Sequence, residues 1–253
     1  MGFYDLSKEE RNQLIIQMET GIIEDLEHQD SGHLLVYASD KDTYIRKQAY
    51  SILGRLYHQE SRLKERILIR VKDLLAHPDE RVRQTAIYSS GEIGEMDKVA
   101  ALLERGLNDP HYIVRNGVIG AMKQMGRKDP AATLVFAHQH LHDANPEIRR
   151  QIIHGIELRG RTHPQDILPI LREMQGEANR RVRSMIVHVI GQISYNAGCL
   201  EIVIQELKTW HNQDLVRQAV NEIINIHGEQ SYCVHSLEDA KVYIRNELGD
   251  IQI

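Results

Sequence analysis

The sequence predicts an all-α fold, a right-handed α-solenoid of about six helical hairpins closed by capping helices. Two observations predict it. Aromatic residues make up only 5% of the 253 residues, with 17 Gly and 6 Pro, so β-formers and turn-makers are both scarce. An aliphatic–arginine pair recurs as Ile45-Arg46, Val82-Arg83, Val114-Arg115, Ile148-Arg149, Val182-Arg183 and Val216-Arg217, with its arginines 37, 32, 34, 34 and 34 residues apart.

Taken in chain order, Ser7 and Glu10 form a capping-box pattern that predicts an N-terminal cap helix near residues 8–28, within a cap spanning 1–30. Repeats follow over 31–228. Each holds a first amphipathic helix, as in 67–75, 99–107, 131–141, 167–174 and 200–210. Asp or Pro punctuation (SDKD, HPDE, NDP, DANPE) then marks a turn. The aliphatic–arginine pair opens a second helix. Three residues beyond the arginines lie Ala49, Ala86, Val118, Ile152, Ile186 and Val220; seven beyond lie Leu53, Ser90, Met122, Ile156, Ile190 and Ile224. That spacing puts both sets on one buried stripe. Eleven beyond four of the arginines, Gly94, Gly126, Gly160 and Gly228 are expected to close helices in the left-handed conformation. Ser236 and Gly249 bracket a helix over 237–248, within a C-terminal cap of 229–253. A hairpin cannot bury both faces alone, and stacking supplies its neighbours, so residues 1–253 read as a single solenoid.

Charge and cysteine content narrow the function. With 31 Lys plus Arg against 36 Asp plus Glu, the net charge is 31 − 36 = −5, which argues against a wholly nucleic-acid-coating protein. Cys199 and Cys233 cannot build a disulfide framework or a four-cysteine zinc site, and the first residues lack the apolar core of a signal peptide. The reading is a reduced, cytoplasmic protein without cofactor or membrane association. Its apolar runs fall well short of the roughly 20 residues a span needs.

The segment HPDERVRQTAIYSSGEIG carries the Asp/Pro turn, the Val-Arg pair, the following Ala and a closing Gly. It resembles the HEAT repeat family, including its bacterial phycobilisome-lyase-type members, which implies HEAT-type hairpins over about 31–228. The fold admits many partners and does not by itself choose a function. Within residues 109–228, the stretches HYIVRNGVIGAMKQMGRKDPAATLVFA, IRRQIIHGIELRGRTHPQDILPIL, VRSMIVHVIGQIS and LVRQAVNEIINIHG resemble the HEAT-like-repeat DNA alkylation repair family, the alkylpurine DNA glycosylases. That resemblance implies a basic concave groove for lesion-bearing duplex, with aromatic side chains and a carboxylate beside the damaged nucleotide. Here the single Trp, Trp210, sits near the end of a first helix, where core packing is expected. His154 stands where an acidic residue would be sought, and Glu157 is the nearest carboxylate.

The recurring arginines Arg46, Arg83, Arg115, Arg149, Arg183 and Arg217 are read as a structural ladder. Asp40, Asp109 and Asp143, six residues before three of them, could pair with the arginine of their own or the next repeat. The second helices are expected to line the concave side, with positions one, five and eight beyond each arginine facing a partner. Gly54, Gly91, Gly120 and Gly191 fall there, leaving room either for a ligand or for tight helix packing. The candidate binding residues on this face are Tyr88, Lys123, Arg150, His154, Glu157, Arg161 and His188. His154 and His188 hold the same position in consecutive repeats and could equally form a solvated polar face. A metal is not expected, because neighbouring helices set the two histidines roughly 10 Å apart. A histidine with Glu157 could do acid–base work, but no nucleophile motif, phosphate loop or paired carboxylates accompany it.

Residues 115–195 hold 12 basic against 7 acidic residues, a local +5 that leaves −10 elsewhere. The sequence therefore supports a non-enzymatic binding scaffold that holds a macromolecule, a protein first. The alternative is a DNA-binding protein of the glycosylase type with catalysis lost or altered.

Overall fold

The second helix of each hairpin and the two terminal helices start where a polar side chain takes up an orphaned amide. The computed structural model describes residues 2–28 and 32–249, and every described helix start that the sequence punctuates is capped in this way. Asp42, Asp79, His111, Asn145 and Asn179, each four residues before a ladder arginine, accept from amides of the first turn. The Ser7–Glu10 capping box forms in both directions, the Ser7 amide donating to Glu10 at 2.8 Å and the Glu10 amide to Ser7 Oγ at 3.2 Å. The boundary expected at residues 30 and 31, and residues 250–253 of the C-terminal cap, lie outside the described residues.

The chain divides into two compact units, residues 1–129 and 130–253. In the first, α1 (Lys8–His28) caps three hairpins: α2 (Gly32–Ala38) with α3 (Thr43–Gln59), α4 (Lys64–Leu75) with α5 (Glu80–Ile93), and α6 (Met96–Leu107) with α7 (Tyr112–Lys128). The second holds α8 (Pro130–His140) with α9 (Pro146–Gly160), α10 (Pro164–Glu173) with α11 (Arg180–Gln192), and α12 (Cys199–Leu207) with α13 (Gln213–Glu229), closed by α14 (Leu237–Leu248). All-α hairpins and capping helices are thus as expected, with no strand among the described residues. Second helices stack on one another, α3 on α5 on α7 and α9 on α11 on α13. No described helix is long and apolar enough to cross a membrane.

The second helices give two apolar stripes to the core. Every residue of the two apolar stripes is buried except Ile224, which is half-buried. Trp210 is 1% exposed in the turn after α12, its indole donating to Glu206 at 3.2 Å, so it packs the core as expected. The glycine expectation holds once. Gly94 closes α5 at φ 74°, whereas Gly126, Gly160 and Gly228 are helical. α7 runs on to Lys128 because Pro130, two residues beyond, moves the break to Asp129. Gly160 stays helical under close packing, since a Cβ there would sit 2.3 Å from Ile167 Cδ1.

The ladder is real in four rungs, and its acceptors differ from those expected. Arg46, Arg83, Arg115 and Arg149 each donate to the backbone carbonyls six and five residues earlier, tying the helix to its own turn. Carboxylates act on the preceding repeat instead. Asp109 receives Arg83 at 2.7 and 3.0 Å, and Glu177 receives Arg149 at 2.7 and 2.9 Å. Asp40 and Asp143 accept instead from the amides of Asp42 and Asn145. Arg217 is half exposed and pairs with Asp214 at 3.3 Å, because its helix is capped by Asn212, one residue out of the register of the other repeats. Arg183 lies outside this pattern, its Nε buried without a hydrogen-bond partner.

Candidate functional site

Along α9, Arg150, His154 and Glu157 follow one another at helical spacing, and α11 brings His188 alongside. Glu157 is 1% exposed and forms the floor, with His154 and His188 above it at 26% and 41%. One carboxylate oxygen of Glu157 takes the guanidinium of Arg161, Nε at 2.9 Å with a second, shorter contact from the terminal nitrogen. Its other oxygen, Oε2, lies 3.2 Å from His154 Nε2 and 3.9 Å from His188 Nε2. The imidazoles meet edge to face with centroids 6.0 Å apart. The expectation that helix spacing keeps the two histidines far apart therefore fails. Both side chains lean inward toward the shared carboxylate, and one donor atom from each of His154, Glu157 and His188 lies within 4.8 Å of the others.

The surroundings fix this geometry. Arg161 also donates to Gln192 at 3.0 Å and to the Tyr195 hydroxyl at 3.3 Å, and its guanidinium lies over the Tyr195 ring. Burial works to lower the Arg161 pKa, but the Glu157 carboxylate outweighs it and holds the group above its ordinary value. Position 191, equivalent in α11 to Glu157, is glycine. A Cβ there would meet Glu222 Cγ at 2.6 Å, so its absence lets Glu222 approach and set a carboxylate oxygen 3.8 Å from His188 Nδ1. His154 Nδ1 is buried without a hydrogen-bond partner, so only its Nε2 side orients the ring. Gln192 and Tyr195 were not singled out from the sequence. The available signal was the 34-residue step, which carries Arg161 onto Tyr195 as it carries His154 onto His188.

The other candidates do different work. Arg150 is held by Glu147 at 3.0 and 2.7 Å, one turn away from the cluster. Tyr88 and Lys123 belong to the first unit. Tyr88 stacks on Tyr50 with centroids 5.0 Å apart, and burial pushes the Tyr50 hydroxyl up to about 12 and Tyr88 upward too. Lys123 is half-buried on α7. The glycines of this face resolve to helix packing. A Cβ on Gly54 would lie 2.4 Å from Glu92 Cβ, on Gly91 2.6 Å from the Ala121 backbone, and on Gly120 2.5 Å from Tyr88. Of the two readings open for these glycines, tight helix packing holds, at position eight for Gly54 and Gly91 and at position five for Gly120.

The HEAT repeats family model matches residues 32–123 and again 134–225. No curated protein matches the sequence. Among solved structures the chain is similar to AlkD2 from Streptococcus mutans, at 14% identity and TM-score 0.56, covering 80% of this chain and 97% of that one. It also matches the CpcE–CpcF complex of phycocyanin lyase from Nostoc sp., at 12% identity and TM-score 0.34, over 86% of this chain and 93% of that one. The AlkD2 likeness is one of fold. The two matched segments cover most of the chain, and the chain belongs to the HEAT repeat family.

Proposed function

We propose that this HEAT-repeat chain is a non-enzymatic binding protein that holds a protein partner on the face built by α9 and α11. The observation that carries the reading is the internal use of its arginines. Arg149 is taken by Glu177, Arg150 by Glu147, Arg159 by Asp166 and Arg161 by Glu157. Four of the twelve basic side chains of residues 115–195 are therefore held in ion pairs within the fold; their partners are already counted in the local +5, which rests on the remaining basic residues. What the face offers at its centre is half-exposed imidazole and an exposed serine, with the arginines of α9 tied up in pairs, a surface suited to polar protein contacts.

The DNA-binding reading draws on the exposed Arg180 and Arg181 at the start of α11 and on the positive excess of the segment. Polarisation of fluorescent duplex, branched and abasic-site DNA at two salt concentrations separates the two. Absence of binding at low salt, together with a cross-link from a photo-reactive residue at Ser184 to one discrete protein in cell extract, is the expected result. Binding at micromolar or tighter level that weakens steeply with salt would replace the protein reading by the DNA one.

A further inference from the structure

We infer that His154 Nε2, Glu157 Oε2 and His188 Nε2 form a three-ligand site for a zinc-class divalent cation, with a fourth position open to solvent. The donor set is the first reason. Two imidazoles and one carboxylate suit Zn²⁺ and the later first-row ions and are poorly matched to Mg²⁺ or Ca²⁺, which take oxygen. Distance is the second. Around a tetrahedral ion with bonds of about 2.0–2.2 Å, neighbouring donors stand roughly 3.3–3.5 Å apart. Glu157 Oε2 stands 3.2 and 3.9 Å from the two Nε2 atoms, and one donor atom from each of the three residues lies within 4.8 Å of the others. Both rings are partly exposed, so the triangle can close by rotation of the imidazoles.

The outer shell is the third reason. Glu222 lies 3.8 Å from His188 Nδ1, the place where a carboxylate orients a metal-bound imidazole and raises its basicity. Arg161 occupies Glu157 Oε1 and leaves Oε2 facing the two rings. The floor is buried while both histidines reach solvent, so an ion has a path in and one position left for water or for a donor from outside the chain. The inference goes beyond the partner reading and does not need it, because the ion alone is the probe.

The test uses the full chain, stripped with a chelator and titrated with Zn²⁺ by calorimetry. One ion per chain is expected, with His154→Ala and His188→Ala each weakening binding by about tenfold or more. Substitution by Co²⁺ should give the visible absorption of a four-coordinate site, absent in both variants. His138→Ala and His142→Ala, which alter a separate exposed histidine pair beside Glu173, should leave the affinity unchanged. Glu157→Gln should behave as the histidine variants do; if it fails to fold, as judged by circular dichroism, the two histidine variants decide. No one-to-one binding, or binding that survives the loss of either histidine, overturns the site.

Discussion

Arg83 and Asp109 join consecutive repeats through a two-point clasp, Nε to Oδ2 at 2.7 Å and a terminal nitrogen to Oδ1 at 3.0 Å. Asp109 is used three times over. Its Oδ1 also accepts the His111 amide at 2.8 Å, and its backbone carbonyl receives Arg115 at 2.7 Å. One residue thus closes its own turn, anchors the next helix and holds the helix before it. Arg149 and Glu177 repeat the clasp in the second unit. Arg46 lacks it, because the residue at the matching place is His77, whose Nδ1 accepts the Asp79 amide.

That difference predicts a graded mutational response. Arg83→Ala leaves a carboxylate that is 6% exposed without its main partner and is expected to cost about 2–4 kcal/mol. Arg46→Ala, which removes bonds to carbonyls and a hydroxyl only, is expected to cost about 1 kcal/mol. Urea midpoints at unchanged m-value would measure both, and equal losses would refute the clasp as the source of the difference.

The clasps also set an acid limit. Burial acts to raise the Asp109 pKa, and the hydrogen bonds from Arg83 and the His111 amide overcome it, leaving the carboxyl below its ordinary value. Glu177 is lowered chiefly by Arg149. A carboxyl depressed in the folded state contributes stability that is present above its unfolded value, near the ordinary 3.8 and 4.5, and lost as pH falls through the folded one. Stability should hold at neutral pH and decline below about pH 5. Asp109→Asn should lower the plateau and flatten part of that decline, which denaturant melts across the range would show.

Glycine substitutions separate packing from propensity. Gly91→Ala drives a methyl to 2.6 Å from the backbone of Ala121, where α5 and α7 meet, and is expected to destabilise by about 1–3 kcal/mol. Gly228→Ala meets only Leu237 methyls at 3.6 and 3.8 Å and is expected to stabilise α13 by about 0.5–1 kcal/mol. Thermal melts of the two variants should move in opposite directions.

Much of the fold was legible because it rests on local rules repeated in register. The arginine pair, the two apolar stripes and the caps at Ser7, Asp79 and Ser236 follow from helix periodicity and from unsatisfied amides. The acceptors of the arginines were less legible, since Arg83 reaches 26 residues ahead to a carboxylate while its nearer bonds go to backbone, which carries no sequence signal. Grouping His154 with His188 followed from the 34-residue step. Their approach over Glu157 did not, because side-chain lean and the room left by Gly191 arise only once helices are packed.

Glu157 and Arg161 give the last prediction. The carboxylate is 1% exposed and the guanidinium 31%, so the pair stands between core and surface. Arg161→Met removes the charge that balances a buried carboxylate and the contacts to Gln192 and Tyr195, and is expected to cost about 2–4 kcal/mol. Adding Glu157→Leu removes the orphaned charge and supplies apolar volume, so the double variant should regain at least about 1 kcal/mol over Arg161→Met alone. A double-mutant cycle completed with Glu157→Leu, read from urea midpoints, checks it. Strict additivity would mean that the two side chains contribute independently and that Arg161 does not hold Glu157 in place.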